Sequence, residues 1–173
     1  MPWLPRGYSI VKELILSESQ KIFTLTRPRP KRLKILIGGT GLVQFVSAIV
    51  QEIVNGKGDL KITVERHADK ILETAKDRGI DVFILLLDNI IFASDVVPEE
   101  SLVYKALRLV IHLKAKYKKP IIALCGWSQG PHFPRRARMA GADFVFPIPC
   151  YEEELKQAIG KSLGAVSGFG RRL

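Results

Sequence analysis

IIALCG (121–126), entered through Pro120, and KILIGG (34–39) are runs of aliphatic residues that each stop on glycine. Apolar runs of this length suit strands covered on both faces, and glycine at the carboxyl end of such a strand marks the rim where an open α/β sheet holds ligands. DVFILLLDN (81–89) and GADFVFPIPC (141–150) add two further runs of the same kind.

Working outward, strand-like and helix-like periods alternate. Leu33–Ile37 reads as a buried strand. Leu42–Val54 reads as a helix with Val43, Val46, Ile49, Val50 and Ile53 near a 3.6 period, closed by Asn55-Gly56. Leu60–Glu65, Val82–Leu87, Ile121–Cys125 and Phe144–Phe146 read as strands; Asp69–Arg78, Leu102–Tyr117, Pro134–Ala140 and Tyr151–Ser162 read as helices. Five strand–helix units predict a parallel sheet with right-handed crossovers and helices on both faces.

The chain has 173 residues, 47% hydrophobic and 25% charged, which suits one globular domain with modest extensions. No apolar run approaches the roughly 20 residues that span a bilayer. MPWLPRGYSIVKEL makes a poor signal peptide, and Cys125 and Cys150 form no CxxC pair; a reducing, cytoplasmic setting is expected. The net charge is +10, but residues 1–34 hold eight Lys/Arg against two Asp/Glu, and Arg171 and Arg172 add two more cations. TRPRPKRLK (26–34) reads as an extended connector. The expected organisation is therefore a basic extension and linker over 1–32, a domain over 33–164 and a tail over 165–173. Ile10–Leu25 is compatible with a short helix or a hairpin. Basic ends can bind phosphates without sequence preference, so nucleic acid is a possible partner, less favoured than a solvated linker.

From about Leu33 to Gly164 the chain resembles the receiver domain of bacterial response regulators. Pro120-IIALCG is similar to the family's fourth strand, and RRARMAGADFVFPIP (135–149) to the end of its fourth helix, its Gly-Ala-Asp turn and its fifth strand. The resemblance implies a flavodoxin-like, three-layer, doubly wound five-stranded parallel sheet of strand order 2-1-3-4-5. It also implies where the chemistry should stand. The family's Mg²⁺-binding acid pair matches Gly38 and Gly39; its phosphoacceptor aspartate is best matched by Asp88. Its strand-four Thr/Ser matches Cys125 and its lysine matches Ile148, with Pro149 retained. Mg²⁺ needs oxygen ligands, phosphoryl transfer needs cations on the developing charge, and a thiol is a weak donor. The expectation is a degenerate receiver with no catalytic residue, metal or cofactor, working as a phosphorylation-independent interaction module. Asp88 would be a vestigial phosphoacceptor or simply a strand-end residue.

By analogy with the family's output surface, the expected face lies within Pro134–Leu163, with Arg135, Arg136, Arg138, Phe144 and Tyr151. The expected partner is another protein of a signalling assembly or a second copy. IGGTGLVQ (37–44) offers an alternative, a nucleotide-binding loop of Gly39, Thr40 and Gly41, although Gln44 replaces the third glycine of GxGxxG. GWSQG (126–130) matches a nucleophile elbow, but His132 stands too near Ser128 in sequence to serve as its base. His67 and His112 lack the ligand spacing of a metal site.

Overall fold

The computed structural model describes residues 32–55, 59–92, 99–126 and 130–167. The basic extension and most of the GWSQG motif lie outside them. Five strands, β1 (Leu33–Gly38), β2 (Leu60–Glu65), β3 (Val82–Leu86), β4 (Ile121–Cys125) and β5 (Phe144–Pro147), form one parallel sheet of order β2-β1-β3-β4-β5. The helices are α1 (Val43–Val54), α2 (Ala68–Arg78), α3 (Glu99–Tyr117), α4 (Phe133–Met139) and α5 (Glu152–Ser167). This is the doubly wound architecture and strand order expected from the sequence. The last helix continues past Gly164, the expected domain end, because Ala165–Ser167 keep the helical pattern.

The alternation of strand side chains builds two cores. Leu36, Phe83, Leu85, Ile121, Ala123, Cys125 and Val145 meet α2, α3 and α4 through Ile71, Ala75, Leu109, Leu113, Phe133 and Ala137. Ile35, Ile37, Val82, Ile84, Leu86, Ile122 and Leu124 meet α1 and α5 through Val46, Val50, Leu155 and Ile159. Both faces of β1, β3 and β4 are thereby buried, which is why their sequences run apolar without alternation. Left-handed Gly79 (φ 57°) ends α2, and three glutamates in the first turn of α5 complement its dipole. Lys156 bridges α5 to α1, 3.1 Å from Glu52 and 2.8 Å from Glu152.

At the amino ends of the strands, charge fixes the register. Asp143 accepts the Ile121 amide at 2.8 Å and both of its oxygens lie 2.7 Å from Lys114 Nζ. Asp81, buried, accepts the Lys34 amide at 3.1 Å. Gly141 has φ 110° and would press a Cβ to 2.8 Å from Lys114 Cγ, so the Gly-Ala-Asp turn is glycine-led for both conformation and room.

Candidate functional site

The carboxyl ends of β1, β3 and β4 form the rim where a doubly wound sheet binds its ligands. At the end of β1 that rim is filled with hydrocarbon. A Cβ on Gly38 would stand 2.7 Å from Ile71 Cδ1 and 2.9 Å from Leu85 Cδ2. Gly39 takes φ 115°, and a Cβ there would stand 2.8 Å from the Leu86 carbonyl oxygen and 2.9 Å from Leu86 Cβ. Gly39 is therefore required by its conformation and by the Leu86 backbone, whereas at Gly38 the side-chain tips of Ile71 and Leu85 occupy the space a carboxylate would need.

Asp88 does not end β3. The strand stops at Leu86, and Leu87–Asn89 form a 3-10 turn that carries Asp88 beyond the residue facing Gly39. The Asp88 carboxylate lies instead at the end of β4. A Cβ on Gly126 would overlap Asp88 Oδ2 and stand 2.8 Å from Asp88 Cγ. Gly126→Ala is expected to cost about 1–3 kcal/mol, the range for overpacking. In Asp88→Ala/Gly126→Ala the two costs are expected to be non-additive by about 1 kcal/mol, read from urea unfolding of the four proteins. Additive costs would contradict the contact.

Cys125, 1% exposed, has its thiol pushed up from 9.0 to about 12, first by burial and then by the charge of Asp88. Burial also raises the Cys150 thiol, with a smaller push from Glu154 against a backbone hydrogen bond that lowers it. At pH 8, iodoacetamide is expected to label Cys150 in the folded chain and Cys125 only after denaturation. Because the folded pKa of Cys125 is the higher one, its stability contribution is present below about pH 9 and lost as pH rises through about 12. Labelling of Cys125 at the rate of an unfolded thiol would contradict this.

Ile148 packs with the α1/α5 core, and its amide donates to the Cys125 carbonyl at 2.8 Å; the Ile148–Pro149 peptide is cis. An aliphatic side chain thus occupies the position that the receiver resemblance assigns to a lysine.

The IGGTG loop is spoken for by its neighbours. The Gly39 amide donates to the Glu65 carbonyl at 2.8 Å, and Asn89 Nδ2 donates to the Thr40 carbonyl at 3.3 Å. Gly41 has φ 84° and would bring a Cβ to 3.1 Å from that same Asn89 nitrogen. Glu65 accepts a hydrogen bond from Thr74 at 3.0 Å, which ties down the acid considered for a ribose contact. Beyond it, His67 and Ile91 pair as a parallel bridge, with Ile91 N donating to Arg66 O and Ala68 N donating to Ile91 O. The segment after β3 therefore reaches the extension of β2, crossing the end of β1 that separates the two strands. Among the described residues no group of three or more His, Cys, Asp or Glu is placed to hold a metal ion.

The expected interaction face divides in the structure. Arg135, Arg136 and Arg138 are exposed on α4, whose buried side is Phe133 and Ala137. Phe144 and Phe146 turn to the α1/α5 core instead, because alternation along β5 sends Val145 alone to the α4 side. Tyr151 stands 79% exposed just before α5.

Solved structures match the sheet order and the two-sided helix arrangement. The signal receiver domain of a DNA-binding response regulator (merR) from Colwellia psychrerythraea 34H aligns at TM-score 0.59 and 16% identity, over 76% of this chain and 98% of its own. The chain has the receiver-domain fold. The receiver domain of the Francisella response regulator 1452 aligns at TM-score 0.58 and 18% identity, over 77% of this chain and 98% of its own. A CheY-like receiver domain protein from Methanospirillum hungatei JF-1 aligns at TM-score 0.56 and 14% identity, over 81% and 100%. No protein-family model matches the sequence, and no curated protein matches it. On this receiver fold, no described helix is long and apolar enough to cross a membrane.

Proposed function

We propose that the chain is a degenerate receiver, a protein-interaction module of a signalling or regulatory assembly that works without aspartyl phosphorylation and without enzymatic activity. The observation that carries the reading is the packing at Gly38 and Gly39, where Ile71, Leu85 and Leu86 fill the space an acid pair would need. Mg²⁺ demands near-octahedral oxygen coordination, and phosphoryl transfer depends on cations to offset charge on the transferred oxygens. The isoleucine and leucine side chains at the end of β1 supply neither, and the Asp88 carboxylate at the end of β4 stands without the acid pair that would share a metal ion with it. Ile148 in the lysine position and the Cys125 thiol in the hydroxyl position support the same reading. With its chemistry removed, the fold retains helix surfaces as its means of acting on other molecules.

The test is incubation with Mg²⁺ and acetyl phosphate, followed by intact-mass measurement under conditions that preserve acyl phosphates. The expected result is an unmodified chain. A phosphoryl adduct that disappears in Asp88→Ala would contradict the proposal.

A further inference from the structure

Between Ser101 and Met139 the sequence holds nine Lys/Arg and no Asp/Glu. The near balance of the domain's net charge conceals this segregation. The stretch comprises most of α3, β4 and all of α4, and the two helices lie on the same side of the sheet. Their contact is fixed where Lys114 of α3 meets Gly141 and Asp143, just past the end of α4. At the base of the sheet Lys114 pairs with Asp143, and Lys119 lies 3.7 Å from Asp81. Arg108, Lys116, Arg135, Arg136 and Arg138 are exposed.

Large apolar side chains stand among these cations. Tyr104 is 65% exposed and Ile111 51%. Tyr104, Arg108, Ile111 and Ala115 recur at helical spacing, so one outward stripe of α3 sets a single cation among apolar groups. An exposed apolar stripe bordered by one sign of charge suits recognition of an amphipathic helix of opposite charge. Phosphate backbones would satisfy the cations but leave Tyr104 and Ile111 without an apolar counterpart, whereas an amphipathic segment satisfies both.

We infer that the joint surface of α3 and α4 docks an acidic amphipathic helix of a partner protein. Its carboxylates meet Arg108, Lys116 and the α4 arginines, and its apolar side meets Tyr104 and Ile111. The inference rests on the interaction-module reading and adds to it the chemistry of the partner.

The test uses the full chain and a fluorescein-labelled synthetic helix with leucine along one face and glutamate along the other. Comparison probes are poly-glutamate and a duplex DNA of similar charge. The acidic amphipathic peptide is expected to bind most tightly, and to weaken about tenfold between low salt and about 0.3 M. Arg135→Glu/Arg136→Glu/Arg138→Glu is expected to weaken binding at least about tenfold, and Ile111→Ser by about threefold or more. The basic extension is unchanged in these variants, and circular dichroism checks that each remains folded. Unchanged binding in the triple variant would overturn the inference. So would tighter binding of DNA, or equal binding of poly-glutamate with no effect of Ile111→Ser. Failure here leaves the phosphorylation-independent reading standing; an Asp88-dependent acetyl phosphate adduct removes that reading without touching the peptide result.

Discussion

Installing an acid at Gly39 is expected to destabilise the domain strongly rather than create a metal site. Gly39→Asp places an L side chain at φ 115°, a conformation costing about 1–3 kcal/mol. Its Cβ would stand 2.8 Å from the Leu86 carbonyl, which is backbone at the end of the central strand β3 and cannot swing aside as a side-chain tip can. The carboxylate would then enter a buried position beside Leu86, at a further penalty of about 1–3 kcal/mol or more. Together these cost about 2–6 kcal/mol, before the overlap with the carbonyl is counted, of a domain stability that is ordinarily about 5–15 kcal/mol. Gly38→Asp should cost less, because the atoms it meets, Ile71 Cδ1 and Leu85 Cδ2, are side-chain tips that can yield. Urea unfolding with and without Mg²⁺ reads both effects. The double variant is expected to be unfolded or nearly so, and Mg²⁺ to leave the single variants unchanged. A Gly39→Asp protein with the parent midpoint, stabilised by Mg²⁺, would contradict the packing described.

Phe133→Ala is expected to be the second large effect. With seven residues, α4 is far shorter than the roughly 12–15 needed for an isolated helix to persist, so tertiary contacts hold it. Its buried residues are Phe133, 1% exposed, and Ala137, fully buried. Removing a buried phenyl ring costs about 3–5 kcal/mol. The loss should concentrate on α4: its amides should exchange with solvent at rates approaching an unprotected chain, while β1 and β3 exchange only in step with global stability. The arginine row would lose its fixed position, so binding of the acidic peptide should fall as well. A loss below about 1 kcal/mol with α4 protection intact would contradict the anchoring role.

The strands were legible because continuous apolar runs have few other uses in a chain of this size. β2 and β4 fall where the sequence places them, and β1 and β5 extend each by one residue at the end. The end of β3 was not legible. Leu85, Leu86 and Leu87 are all buried, so the apolar pattern runs on after the backbone has turned into a 3-10 helix. That ambiguity is what places Asp88 at the strand end in a reading of the sequence, although the residue against Gly39 is Leu86. The segregation of positive charge was present in the sequence but hidden by summing over the domain; only the placement of α3 beside α4 gives it meaning. Phe144 shows the opposite failure. It lies near the arginines in sequence, yet the two-residue period of β5 sends it to the other layer. The pairing of Ile91 with His67 has no local signal, since it joins residues on either side of α2 and β3.

The most direct test of an emptied phosphorylation site is an amide chemical-shift map of the isotopically labelled full chain, recorded with Mg²⁺ before and after adding beryllofluoride. Unchanged resonances at Gly38, Gly39, Asp88, Cys125 and Gly126 are predicted. Shifts clustered at those residues, abolished by Asp88→Ala, would contradict the account.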